Sequence, residues 1–262
     1  MRLDIKDVVC GYGSRIIVKG ISLSVESGEI LCLLGSNGVG KTTFFKTLLG
    51  FLQLKGGEIT LNGENINKWS KKRLATMIGY VPQAHTPPFP FSVLDVVIMG
   101  RTAHLGMFAS PSKEDIEIAE EAMESLNITF LRDKIYTEIS GGERQMVLVA
   151  RALSQQPKIL IMDEPTSNLD FGNQIRVLEQ IKKLAKKGLG VIMTSHFPNH
   201  VFLCSTKVAL MKSSNDFIIG SVDEVISEEN LKVAYGIDVR ITNVLNDRGE
   251  VIRACIPLMN SN

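Results

Sequence analysis

The sequence predicts an α/β fold: a mostly parallel sheet, an antiparallel β subdomain on the N-terminal side and a helical insertion. Three observations lead there. Short, nearly continuous apolar runs that suit buried strands alternate with helical stretches, the rhythm of right-handed βαβ units. One of these strands feeds a glycine-rich turn that opens a helix, Gly35-Ser36-Asn37-Gly38-Val39-Gly40-Lys41-Thr42. Between residues 85 and 140 the alternation gives way to helical patterns alone.

Leu3–Val9, Ile21–Val25 and Glu29–Leu34 read as strands, the last buried on both faces. A helix from Thr42 to Leu49 follows the glycine turn and is stopped by Gly50. Asn62-Gly63, after Glu58–Leu61, signals a tight turn between β segments. From His85 to Phe91, Pro87, Pro88 and Pro90 impose an irregular, extended loop. Ser92-Val93-Leu94-Asp95 and Ser112-Lys113-Glu114-Asp115 both have N-capping spacing, and the helix after Ser112 should reach Leu126. Gly142–Gln155 reads as a helix ended by Pro157, and Gly172–Lys187 as another, stopped by Gly188. Ile159–Met162 and Val191–Ser195 read as buried strands. The tail has short strands at Val208–Met211, Phe217–Gly220, Val239–Thr242 and Val251–Ile256 around a helix at Glu228–Tyr235, and reads as an accessory lobe. The expected organisation is one domain over 1–262, with an α/β core (1–84 and 141–225), a helical subdomain (85–140) and a C-terminal lobe (226–262).

Composition excludes several classes. The 262 residues are 44% hydrophobic and 22% charged, enough for a sizeable core and unlike a disordered chain. Lys+Arg number 29 against 28 Asp+Glu, a balance unsuited to a general nucleic-acid binder. The clusters Lys71-Lys72-Arg73 and Lys182-Lys183 with Lys186-Lys187 lack an aromatic stacking platform and read as solvated helix faces. A membrane span needs about 18 consecutive apolar residues, and the longest comparable run is Ile30–Leu34. The acidic residues Asp4 and Asp7 do not suit a signal peptide. Cys10, Cys32, Cys204 and Cys255 show no Cys-x-x-Cys spacing and read as separate thiols of a reducing cytosol.

The turn from Gly35 to Thr42 fits G-x-x-x-x-G-K-[ST] in its required context, a strand before and a helix after. Its glycines let successive N–H groups point at one anion, and the helix N-terminus favours phosphate. Lys41 supplies a cation for β- and γ-phosphates, and the Thr42 hydroxyl suits Mg²⁺. The core is therefore expected to be of the phosphate-loop NTPase type. Ile159–Met162 runs straight into Asp163-Glu164. A carboxylate at the end of a buried strand needs a partner; Mg²⁺ would provide it for Asp163, leaving Glu164 to orient or deprotonate a water. His196 follows the strand Val191–Ser195 and reads as a hydrogen-bonding contact to the γ-phosphate. A zinc pair with His200 is rejected, because Pro198 intervenes and Phe197 stands where H-E-x-x-H needs glutamate.

Together with Ile139-Ser140-Gly141-Gly142-Glu143-Arg144-Gln145, these motifs resemble the nucleotide-binding subunit of an ABC transporter over nearly the whole chain. The first signature residue is Ile where Leu is usual. The resemblance implies an ATPase using ATP and Mg²⁺, in which two subunits meet head to tail. Ser140, Gly141, Gly142 and Glu143 of one copy then complete the phosphate site formed by residues Gly35 to Thr43 of the other, Thr43 included. Tyr12, 29 positions before Lys41, resembles the aromatic on which adenine stacks. Gln83 resembles the glutamine that senses Mg²⁺ and the attacking water. Ser167-Asn168-Leu169-Asp170 resembles the loop crossing the dimer interface, with Asn168 where Ala is commoner and Asp170 retained.

Phe91 to Arg101, then His104-Leu105-Gly106, and the tail Tyr235-Gly236-Ile237-Asp238-Val239-Arg240 look like subunits powering uptake of iron–siderophore, haem or vitamin B12. That branch implies a peripheral protein on the cytoplasmic face of the cell membrane. An integral membrane permease would dock near residues 83–110, with an extracytoplasmic binding protein acting through it, and no nucleic acid. The weighed alternatives are a soluble ABC ATPase of the iron–sulfur cluster assembly type, and a small-molecule kinase, which would leave the signature helix unexplained.

Overall fold

The computed structural model describes residues 1–83, 89–106, 108–245, 247 and 249–259. The chain begins with β1 (Arg2–Tyr12), β2 (Arg15–Glu26), β3 (Ile30–Gly35), α1 (Lys41–Leu48), β4 (Gly56–Leu61), β5 (Glu64–Asn65), α2 (Lys71–Met77) and β6 (Ile78–Val81). The helical stretch holds α3 (Val93–Ile98), α4 (Lys113–Ser125) and the start of α5 (Gly141–Ser154). The alternation then resumes with β7 (Ile159–Met162), α6 (Phe171–Lys186), β8 (Gly190–Ser195), α7 (Pro198–Cys204), β9 (Lys207–Ser213) and β10 (Asp216–Gly220). The chain closes with α8 (Val222–Val225), α9 (Glu228–Tyr235), β11 (Val239–Leu245) and β12 (Val251–Pro257).

β2-β1-β4-β5 form an antiparallel sheet, and β10-β9-β3-β8-β7-β6 a second sheet, parallel except for the β9/β10 pair. Strand β3 shows why it must be apolar throughout. Leu31 and Leu33 join Phe44 and Phe45 of α1 on the side of the antiparallel sheet, while Cys32 and Leu34 join the core beneath the helices. Each such buried aliphatic side chain contributes roughly 1.5–3 kcal/mol by leaving water. Successive strand residues point to opposite faces, so one strand serves two cores.

Both expected capping boxes form: Ser92 Oγ accepts from Asp95 N at 3.1 Å, and Ser112 Oγ from Asp115 N at 3.2 Å. Arg101 then ties the helical stretch to the core. It is buried, its Nε donates to Asp115 Oδ1 at 2.9 Å, and its Nη1 donates to Ser154 O, at the end of α5, at 2.8 Å.

Three differences from the sequence reading have physical causes. α2 and β6 have no periodicity of their own over so few residues, and β6 exists through its parallel pairing with β7. Pro198, read as an interruption, starts α7 at a position where its missing N–H costs nothing. The Val208–Met211 segment, read as a short strand like those of the tail but inside the 141–225 core, lies in β9 in the middle of the main sheet, beside β3. Its sheet partner lies more than 170 residues earlier, which no local pattern reports. The boundary drawn at 84/85 lies outside the described residues.

Candidate nucleotide site

Strand order assembles the site. In β3-β8-β7-β6 the four parallel strands end side by side, with Leu34 paired to Ser195, Met193 to Met162 and Met162 to Val81. The loop following each strand carries a candidate residue: Gly35–Gly40, His196, Asp163-Glu164 and Gln83. This is where open α/β sheets bind ligands.

The phosphate loop ends at Gly40, whose φ of 118° and close approach to Val18 exclude a side chain: an added Cβ would lie 2.5 Å from Val18 Cγ2. Helix α1 has no side-chain N-cap and no acid in its first turn. By contrast, every other helix of eight or more residues among those described is capped by Ser112, Ser140, Asp170 or Ser227. The first amides of α1 thus lack a side-chain acceptor, a ready anion site. Thr42 is exposed at this opening, and Thr43 is buried behind it.

Lys41 is buried, and its Nζ donates to Gly35 O at 2.7 Å and Ser36 O at 2.9 Å. Desolvation pulls its pKa down, opposed by the charges of Glu164 and Asp163. Lys41 Nζ also lies 3.2 Å from His196 Nδ1, while His196 Nε2 meets Glu164 Oε1. His196 Nδ1 also lies 3.3 Å from Gly35 O, so the ring is held between the phosphate loop and Glu164. Gln83 Nε2 donates to the other Glu164 oxygen at 2.8 Å. Lys41, His196, Glu164 and Gln83 therefore form one continuous hydrogen-bonded chain. In this arrangement both oxygens of Glu164 are taken.

Asp163 is buried at the end of β7, and its Oδ1 accepts from Thr194 Oγ1 at 2.8 Å. Glu164 stands in the left-handed region at φ 48°, with its N–H donating to the same Thr194 oxygen at 2.7 Å. Thr194 is absent from the sequence reading, since a hydroxyl inside a run such as Val-Ile-Met-Thr-Ser carries no motif. His200 has a structural setting: its Nδ1 lies 3.2 Å from Ser195 Oγ and 3.3 Å from Thr166 Oγ1, and burial favours its neutral form.

The remaining candidates stand apart. Tyr12 is 45% exposed at the end of β1, with Lys46 of α1 6.0 Å from its ring centre. Ser140 and Glu143 close a capping box on α5, Ser140 N donating to Glu143 Oε2 at 2.8 Å. Among the described residues no hydrogen bond joins Ser140–Glu143 to residues 35–43 of the same chain. Gly142 instead packs on Asn173, where a Cβ would come within 2.5 Å, and Asn173 Nδ2 donates to Asp170 at 2.6 Å. The signature helix is thereby joined to the loop ending at Asp170.

The sequence profile of the ABC transporter family matches residues 18–167. An uncharacterized ABC transporter ATP-binding protein of Haemophilus influenzae is 44% identical over 235 residues, covering 90% of this chain and 89% of its own. A probable iron chelatin transport ATP-binding protein of Helicobacter pylori (strain 26695) is 37% identical over 256 residues, covering 97% and 100%. Among solved structures, a metal-chelate type ABC transporter in an inward-facing conformation superposes with a TM-score of 0.88 at 32% identity, covering 98% of both chains. A profile match over more than half the chain, carried on a phosphate-loop fold, decides the matter: the chain belongs to the ABC transporter family, as an ATP-binding subunit whose ATPase activity powers transport.

Proposed function

We propose that the chain is the ATP-hydrolysing motor of an importer for metal chelates such as iron–siderophore, haem or cobalamin, acting as an ATP-closed homodimer on the cytoplasmic face of a membrane permease. The observation that carries the mechanism is the chain from Lys41 through His196 and Glu164 to Gln83. Its members are the groups a triphosphate and its water require, and in this arrangement they are bonded to one another. Triphosphate oxygens compete for Lys41 and His196, and that competition frees Glu164 Oε1, while Gln83 keeps the other oxygen.

The residues present fit Mg²⁺. Thr42 offers a hydroxyl at the loop, Asp163 a buried carboxylate, and Gln83 an amide oxygen left over once its Nε2 is given to Glu164; all are hard oxygen donors. Bound there, Mg²⁺ would neutralise phosphate charge. Glu164 takes a proton from the attacking water as the water oxygen bonds to the γ-phosphorus, His196 holds the γ-phosphate, and the bond from that phosphorus to the β,γ-bridging oxygen breaks, the oxygen leaving on ADP and the γ-group as phosphate. Tyr12, exposed beside α1, takes the adenine.

Ser140 to Glu143 have no partner in the phosphate loop of their own chain, which supports completion of the site by a second copy in an isologous dimer. For the permease, a cavity of about 640 Å³ lies between core and helical stretch, with Leu49, Phe51, Tyr80, Met99 and Arg151 in its lining. Only part of the 83–110 segment borders this cavity; residues 84–88 and 107 are outside the described residues. Among the described residues no helix is long and apolar enough to cross a membrane. The cargo class rests on the iron chelatin relative and the metal-chelate transporter structure.

The test is Glu164→Gln. The variant is expected to bind ATP, hydrolyse it about 10²–10⁴-fold more slowly, and accumulate as a dimer in size-exclusion chromatography. Near-normal turnover removes Glu164 as the base. Recovery of the wild type from membranes with a polytopic protein, and uptake of a labelled metal chelate by the reconstituted pair, test the importer reading; transport of an oxyanion instead overturns the cargo.

A further inference from the structure

A carboxylate that must face one water needs a fixed backbone as well as a side chain of the right type. Glu164 is a long residue at φ 48°, a region that L-residues other than Asn, Asp and Gly avoid. Something must hold it there. Its own turn supplies one bond, from Ser167 N to Glu164 O at 3.0 Å. The other comes from the neighbouring strand: Glu164 N donates to Thr194 Oγ1 at 2.7 Å.

The Thr194 hydroxyl has a single hydrogen, and that hydrogen is committed to Asp163 Oδ1 at 2.8 Å. Its donor direction is therefore set by one acid and its lone pair is turned to the backbone of the next. Thr194 is fully buried, so no water can substitute for either bond. The same strand end carries His196, the partner of Glu164 Oε1, two residues further on.

We propose that Thr194 is a positioning residue for ATP hydrolysis, its one hydroxyl holding the Asp163-Glu164 elbow so that the Glu164 carboxylate faces the site between Gln83 and His196. The inference rests on the reading of Glu164 as the base. Thr194 is fully buried and acts through the elbow it holds, and a misplacement of about 1 Å in a catalytic group costs on the order of 10²-fold in rate.

The experiment compares Thr194→Val, Thr194→Ser and Glu164→Gln in steady-state ATPase assays, with hydrogen exchange of the nucleotide-free protein resolved to the Glu164 amide. Thr194→Val keeps the shape and removes both bonds. It is expected to lower kcat about 10–100-fold with KM for ATP within about threefold, and to accelerate exchange at Glu164. Thr194→Ser, which keeps the hydroxyl, is expected to restore both. A Thr194→Val kcat within twofold of wild type, while Glu164→Gln is inactive, overturns the positioning role and leaves the base reading standing. An active Glu164→Gln sinks the base reading itself. Equal damage from Ser and Val overturns the proposal by assigning the effect to packing. Where Thr194→Val fails to fold, the wild type decides: a Glu164 amide that exchanges as fast as a free peptide has no such bond, and the proposal falls.

Discussion

Substituting Gly40 by alanine tests whether the phosphate loop is held by backbone conformation and close packing together. Alanine at φ 118° and ψ 4° lies outside the regions open to L-residues, which costs about 1–3 kcal/mol. The added methyl would sit 2.5 Å from Val18 Cγ2 and 3.3 Å from Ile17 Cγ2. Val18 is fully buried in the core beneath the antiparallel sheet and cannot swing into solvent, so the overlap adds about 1–3 kcal/mol. The two effects sum to about 2–6 kcal/mol. At roughly 2 °C per kcal/mol for a chain of this size, the melting temperature should fall by about 4–12 °C. Gly38 separates the two causes: its φ is 79°, but no atom lies within 4 Å of a Cβ built there. Gly38→Ala should therefore show the conformational cost alone, about 1–2 kcal/mol. The assay is thermal unfolding followed by circular dichroism, paired with ATP binding by fluorescence titration. A Gly40→Ala melting temperature within 2 °C of wild type, or no larger a loss than for Gly38→Ala, would refute the packing argument.

Two further predictions concern charge. Lys41→Ala should weaken ATP binding at least about tenfold, since a charge-assisted hydrogen bond to phosphate contributes roughly 1.5–3 kcal/mol; unchanged binding in calorimetry contradicts the role of Lys41. For Asp115, hydrogen bonds from Arg101 first and then from Ser112 hold the carboxyl at about 2, below its ordinary value. A depressed carboxyl stabilises the fold fully above its unfolded pKa and loses that contribution as pH falls through the folded one. Urea midpoints of the wild type should therefore drop between about pH 4 and pH 2. Asp115→Asn should be less stable at neutral pH and flatter over that window; parallel curves would show that the Arg101 pair is not what lowers Asp115.

The parts of the molecule legible in the sequence are those made by neighbours in the chain. The loop from Gly35 to Thr42 is contiguous, so its glycines and Lys41 appear together. A capping box needs only residues three apart, and those at Ser92 and Ser112 form as read. The buried strands Ile159–Met162 and Val191–Ser195 announce themselves as apolar runs. What tertiary structure alone decided is adjacency. Gln83 and Glu164 are 81 residues apart, yet their side chains meet because β6 pairs with β7. β9 belongs to the main sheet because β3 needs a second partner there, although its sequence reads like the tail strands. Thr194 is a plain strand residue until β7 and β8 lie side by side and turn its one hydroxyl toward two acids. Local pattern sets what each segment can become; strand order, settled by burying both faces of one sheet at once, sets which side chains share a site.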